Sequence, residues 1–263
     1  MKTRVLTAIV ALLVILPPII LGGYWGLAFV VAAAILVAVE EFSHLVRKGP
    51  RYDLLAAEMV AAMALYWTIQ LQPQHLATAL GFVVVSLLLV HLFRFGEMHD
   101  AGPMLAGSLA SVFYAPLLLS YLPLIRRENP EGLSWLFFIL LITWAGDTGA
   151  YIAGRFFGRH KLYPQVSPGK TLEGFFGGIV FAVLGACLAR ATFLPSLTLL
   201  DCLVLAPLAD VAGVLGDLTE SLLKRSASVK DSGRIFPGHG GILDRVDSLL
   251  FSAPLVYAYL VWT

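Results

Sequence analysis

The sequence predicts an all-α, polytopic integral membrane protein with about nine transmembrane helices and a cytoplasmic N-terminus. Three observations carry that reading. Of the 263 residues, 59% are hydrophobic and only 13% carry Asp, Glu, Lys or Arg, whereas soluble domains run near 25% charged. Long apolar runs recur along the whole chain. The positive charges between those runs alternate sharply from one side to the other. The formal net charge of +1 argues against a nucleic-acid binder that relies on a basic surface. High hydrophobicity with low net charge also excludes a disordered chain. Cys187 and Cys202 lie in apolar stretches without metal-ligand spacing and read as buried thiols.

A bilayer core of roughly 30 Å needs about 20 apolar residues per helix. Nine segments qualify, near residues 5–22, 25–44, 54–71, 76–93, 104–125, 133–153, 174–194, 198–216 and 248–262. The first follows Lys2 and Arg4 as a signal peptide would, but its apolar run exceeds a signal h-region, so it reads as a retained span. With nine alternating spans, 15 of the 18 Lys and Arg residues fall on the N-terminal side; Arg126, Arg127 and Arg190 fall on the other. The positive-inside rule makes the first side cytoplasmic. Residues 1–100 then form a membrane scaffold, and 101–263 a catalytic region whose site faces the cytoplasm. Gly22-x-x-x-Gly26, Gly154-x-x-x-Gly158 and Gly174-x-x-x-Gly178 read as close helix packing.

Charge is concentrated in residues 217–247, which hold ten charged side chains, about 32% of that stretch against about 11% elsewhere. Acids (Asp217, Glu220, Asp231, Asp244, Asp247) and bases (Lys224, Arg225, Lys230, Arg234, Arg245) balance. That mixture suits a divalent metal beside a polyanionic phosphate better than a plain positive-inside loop. If the eighth helix continues past Gly216, then Asp217, Ser221 and Lys224 share one face. Pro237-Gly238-His239-Gly240-Gly241 reads as a turn in which backbone can approach a ligand closely. Asp244 and Asp247 follow on one face of the next helix start, a place that favours anions. A plainer reading makes these two aspartates helix-start acids paired with Arg245 or Lys224, and His239 a polar turn residue.

A second cluster precedes it. Asp147 sits within the apolar segment TWAGDTGAYIAGR, where an ionisable group is costly unless it meets a polar cavity or a partner helix. Tyr151 and Gly154 fall on its face. Downstream lies Ser167-Pro168-Gly169-Lys170-Thr171-Leu172-Glu173-Gly174, which lacks the first glycine of a Walker A loop because residue 164 is proline. A P-loop NTPase is therefore unsupported, while Lys170 and Thr171 at a helix start remain suited to phosphate. Glu40, Glu41, Glu58, Asp201 and Asp210 have no neighbouring cluster of bases in the sequence and read as interfacial or packing residues.

The run from Ser221 through Lys224-Arg225, Lys230-Asp231, Gly233, Pro237, His239-Gly240-Gly241 and Asp244-Arg245 to Asp247 resembles the signature of the bacterial integral-membrane phosphatidate cytidylyltransferases, or CDP-diacylglycerol synthases. The W-x-x-D-x-x-A-Y-x-x-G-R pattern from Trp144 to Arg155 and the S-P-x-K-T-x-E-G stretch resemble the same family. Gly169 departs from it, since family members often carry a second lysine there. The resemblance implies an enzyme of the bacterial inner membrane, homodimeric, that converts CTP and phosphatidic acid to CDP-diacylglycerol and pyrophosphate with Mg2+, and with a monovalent cation such as K+ as a second ion. It implies metal ligands at Asp217 and Asp244 and phosphate-neutralising roles for Lys224, Arg225 and Lys230. Ser221 and His239 are expected as hydrogen-bond partners, with Asp231 and Asp247 as orienting groups. Asp147, Ser167, Lys170, Thr171, Glu173, Gly240, Gly241 and Arg245 are expected to bind substrate.

Two rival readings are separable. A CTP-dependent polyprenol kinase would need a general base for a neutral hydroxyl and would transfer the γ-phosphate. A transporter would spread its polar groups through two related halves at mid-membrane, whereas these gather in the C-terminal half. A CDP-alcohol phosphotransferase would carry D-G-x-x-A-R, which is absent.

Overall fold

The computed structural model describes residues 13–47, 51–94, 96–235 and 240–262. Of the expected first span, 5–22, residues 5–12 lie outside the described residues, as does His239. The chain runs through α1 (residues 13–21), α2 (Gly23–Val46), α3 (Tyr52–Leu71), a single 3-10 turn (Pro73–His75), α4 (Leu76–Arg94), α5 (Met98–Leu119), α6 (Tyr121–Glu128), α7 (Gly132–Phe157), β1 (Lys161–Tyr163), β2 (Ser167–Thr171), α8 (Leu172–Thr192), α9 (Leu199–Ser226) and α10 (Leu243–Trp262). Among the described residues, seven helical segments are long and apolar enough to cross a membrane. They coincide with the second to eighth expected spans; the ninth forms α10 but is not among the seven. The protein is a helical, multi-pass membrane protein.

Two compact units emerge: one of the described residues up to Pro123 with those of Asp231–Arg245, the other of Leu124–Lys230 with the described residues from Val246 on. The charge-dense stretch 217–247 is thereby divided between them.

In the first unit, α2, α3, α4 and α5 pack together. Leu27, Val31, Ile35, Val39 and Phe42 recur at helical spacing and are buried, which makes one face of α2 a core surface. The Tyr66 hydroxyl donates to the Ala28 carbonyl at 2.7 Å, so its buried ring leaves no polar atom unsatisfied. A polar network crosses the same bundle. Arg47 pairs with the fully buried Glu58, to which Ser43 also donates. The Arg47 guanidinium donates to Ser108 at 2.9 Å, and Ser108 lies 3.1 Å from the His91 ring. Glu58 was expected to be a packing residue without a base nearby. Its base comes from the α2–α3 connection, eleven residues earlier in the chain, and burial makes the pairing obligatory. α5 ends at Leu119, and Pro116, three residues earlier, has no N–H to offer. Gln70 then donates to the Ser120 carbonyl at 3.1 Å, across from α3.

In the second unit, α7 and α8 make the closest helix pair, with α9 packed against both. Glycine permits the approach: a Cβ at Gly149 would stand 2.6 Å from the Gly177 carbonyl oxygen, and one at Gly174 would stand 2.9 Å from that of Ala150. The Gly154 and Gly174 motifs therefore serve packing between neighbouring helices of one chain. α9 starts with a capping box in which Thr198 and Asp201 exchange side-chain and backbone hydrogen bonds at 3.1 and 2.7 Å. Asp201 also accepts from the Tyr259 hydroxyl at 2.6 Å.

The all-α expectation needs one correction. β1 and β2 form an antiparallel hairpin, with Lys161 opposite Thr171 and Tyr163 opposite Ser167. Pro164 and its neighbours turn the chain between the strands, and the Val166 N–H returns to the Tyr163 carbonyl at 3.3 Å. The hairpin delivers Thr171 in extended conformation as the N-cap of α8, where its hydroxyl accepts the Gly174 N–H at 3.1 Å.

Candidate active site

α7, the hairpin and α8 enclose a cavity of about 350 Å³. Asp147, Tyr151 and Gly154, spaced four and three residues apart on α7, line one wall as their shared helical face predicts. Gly169, Lys170 and Thr171 of the hairpin line another. Ser167 and Glu173 are not among the lining residues. Glu173 instead accepts the His160 N–H at 3.2 Å and lies 2.7 Å from the His160 ring, because the hairpin brings that exposed turn over the first turn of α8. There it clamps the hairpin to α8.

Lys170 joins this cavity to the charge-dense stretch. Its ammonium stands 2.6 Å from one carboxylate oxygen of Asp217. The other oxygen of Asp217 accepts from Ser221 one helical turn on, at 3.1 Å. The two sequence clusters thus meet at one charged contact between residues 47 positions apart. Arg225 supports the hairpin from the same helix, donating to the Val166 carbonyl at 3.4 Å and to that of Val229 at 3.1 Å.

The helix does continue past Gly216, to Ser226, so Asp217, Ser221 and Lys224 share a face as their spacing predicts. Lys224 is buried, and its ammonium lies 3.1 Å from the fully buried Glu220. Glu at i and Lys at i+4 is the favoured order on a helix, and the buried carboxylate draws the nearest cation. Asp247 hydrogen-bonds Glu220, so it orients this internal pair. The close fit of α10 on α9 leaves room for that contact: a Cβ at Gly216 would lie 3.1 Å from the Phe251 ring. Lys230 is exposed.

The sequence marks Asp210 only as an interfacial or packing residue. It is 7% exposed, and its Oδ2 has no hydrogen-bond partner among the described residues. Its carboxylate fits into a notch where Gly146 of α7 and Gly178 of α8 lack side chains; a Cβ at Gly178 would stand 3.3 Å from Oδ2. It is close enough to Asp147 and Lys170 to feel their charges. A buried acid in an apolar helix was the available signal, and the absence of basic neighbours in sequence concealed it.

In the first unit, one oxygen of Asp244 accepts the Gly241 N–H at 2.8 Å, the Ser232 N–H at 2.9 Å and the Ser232 hydroxyl at 3.0 Å. Gly240 has a φ of +80°, the left-handed conformation glycine accepts most readily. Asp231 and Arg245 are exposed.

The full chain carries a family signal. Residues 2–263 match the sequence profile of the cytidylyltransferase family. This chain belongs to that family. It is 39% identical to a phosphatidate cytidylyltransferase of Staphylococcus epidermidis over all of both chains. It is 38% identical to one of Staphylococcus aureus and 37% identical to one of Staphylococcus saprophyticus, in each case over 99% of both chains. Cytidylyltransferases are nucleotidyltransferases, and the Lys170–Asp217 contact beside the cavity is the kind of charged centre such chemistry uses.

Proposed function

We propose that this cytidylyltransferase joins CTP to phosphatidic acid, yielding CDP-diacylglycerol and pyrophosphate. The observation that carries the reading is the meeting of Lys170 and Asp217 at the cavity, in a chain similar over its whole length to phosphatidate cytidylyltransferases. A phosphatidate oxygen attacks the α-phosphorus of CTP, the bond to the bridging oxygen of the β-phosphate breaks, and pyrophosphate leaves with that electron pair. The attacking phosphate is already ionised near neutral pH, so no strong base is needed. Rate then comes from alignment and from neutralising charge.

The residues divide that work. Lys170 faces the polyphosphate and balances negative charge, while Ser221 fixes the Asp217 carboxylate. Thr171 holds the first turn of α8, so the hairpin and its lysine keep their position. Among the described residues, no three His, Cys, Asp or Glu side chains form a ready metal cage. Mg2+ is commonly held by one or two carboxylates together with substrate phosphates. An all-oxygen set of Asp217 with Asp147 and Asp210 nearby, one oxygen of Asp210 buried without a partner, fits that chemistry. Ligation of Mg2+ is proposed at Asp217 and at Asp244; bound there, Mg2+ would screen the phosphates and polarise the reacting phosphoryl group. A companion K+, a homodimer, nine spans and a cytoplasmic site in the bacterial cell membrane complete the proposal, supported by the resemblance and by the 15 to 3 division of positive charge.

The deciding assay uses purified protein in detergent with phosphatidic acid, Mg2+ and CTP labelled in parallel at the α- or γ-phosphate. Label from the α-phosphate alone is expected in the extracted lipid, and Asp217→Asn is expected to abolish nearly all of it. Transfer of γ-label to a polyprenol would instead make the chain a lipid kinase.

A further inference from the structure

Glu41 lies near the end of α2, far in sequence from the charge-dense stretch 217–247, and is 6% exposed. Its Oε1 accepts the Ile242 N–H at 2.9 Å, and its Oε2 accepts the Leu243 N–H at 3.0 Å and the Ser232 hydroxyl at 2.9 Å. The two amides are those of Leu243, the first residue of α10, and of Ile242 just before it, and the first N–H groups of a helix have no partner within it. A carboxylate from α2 therefore caps α10, meeting the positive end of its dipole with a negative charge. The expectation of an interfacial or packing residue without neighbouring bases gains a specific content: the partners are a hydroxyl and backbone donors, which no search for neighbouring bases reveals.

The same contact accounts for two glycines of the signature. A Cβ at either Gly233 or Gly241 would collide with the Glu41 carboxylate, and at Gly241 with the Ser232 hydroxyl as well. Only hydrogen fits at these positions while the carboxylate is in place. Ser232 then links Glu41 to Asp244, since its one hydroxyl proton lies between carboxylate oxygens at 2.9 and 3.0 Å.

We propose that Glu41 is a positioning residue that ties Ser232 to Ile242 and Leu243 and so fixes the direction of the Asp244 carboxylate. This rests on the cytidylyltransferase reading above for the role of Asp244. Glutamine at this position has a similar shape but one acceptor oxygen, so its NH2 group opposes either the Ile242 or the Leu243 N–H. One helix-start donor then loses its partner and the loop loosens.

The test compares wild type, Glu41→Gln and Ser232→Ala in detergent by hydrogen exchange, thermal unfolding and Mg2+-dependent turnover. In Glu41→Gln the peptide containing Ile242 and Leu243 should exchange roughly ten-fold faster, while peptides from the middle of α10 stay unchanged. Turnover should fall roughly 10- to 100-fold, with a raised Mg2+ requirement and a melting temperature near wild type. Ser232→Ala should show the same pattern more weakly. Unchanged exchange in Glu41→Gln, or faster exchange with wild-type turnover and Mg2+ dependence, would overturn the proposal. If Glu41→Gln does not fold, Ser232→Ala decides by the same criteria; failure of both to fold would assign Glu41 to the scaffold instead and overturn the positioning role. Absence of CDP-diacylglycerol from the wild type itself would sink the functional reading and leave the exchange arm to judge the anchor.

Discussion

Replacing Lys170 by Met separates catalysis from stability at the contact where the two motifs meet. The Lys170 and Asp217 side chains are 26% and 30% exposed, so solvent screens the pair. Surface-like ion pairs contribute about 0–1 kcal/mol. In a chain of this size that corresponds to a melting shift within about 4 °C. The ammonium has a different value toward a nucleotide. A hydrogen bond to a charged group contributes about 1.5–3 kcal/mol. At about 1.4 kcal/mol per decade, its loss lowers kcat/KM for CTP roughly 10- to 150-fold. Lys161→Met is the matched control, because that ammonium donates to the Pro168 carbonyl at 2.7 Å on the exposed hairpin and is not among the cavity-lining residues. Its effect should stay within about two-fold, as for an ordinary surface change. Steady-state kinetics in mixed micelles, with melting followed by intrinsic fluorescence, reads both quantities. If Lys170→Met stayed within two-fold of wild type in kcat/KM, or if both lysines gave the same loss, the cavity would not be where CTP binds.

Three further outcomes follow from the same geometry. Gly169→Lys should be accepted, since a Cβ there meets nothing within 4 Å, and the added cation at the cavity should lower KM for CTP roughly two- to five-fold; a raised KM would contradict it. Lys224→Ala should lower the melting temperature sharply, because removing one partner of a buried pair costs about 3–5 kcal/mol, and Lys224→Ala with Glu220→Gln should recover much of that loss; simple additivity of the two single effects would deny the pairing. In a background lacking Cys187 and Cys202, Ser228→Cys should react with an impermeant thiol reagent only in inverted vesicles and Glu128→Cys only on intact cells, and labelling of both from one face would break the nine-span topology.

What the sequence made legible follows from the range over which each signal acts. Apolar runs and charge alternation are properties of contiguous segments, so seven expected spans reappear as helices with only their ends displaced. Periodicity of 3.6 placed Asp147, Tyr151 and Gly154 on one face, and that face does line the cavity. The hairpin escaped notice because strands of three and five residues are too short to show alternation. Glu220 and Lys224 show a different limit. Their i, i+4 spacing was readable as an internal pair, yet the density of charge around them favoured a phosphate role for the lysine. Charge density in a sequence counts ions without saying which are already committed to one another. Burial distinguishes them: Lys224 is buried against Glu220, while Lys170 is partly open at the cavity beside Asp217. Glu41 is the limit of the method, because its partners are amides some 200 residues away, and backbone donors leave no mark on composition, periodicity or charge.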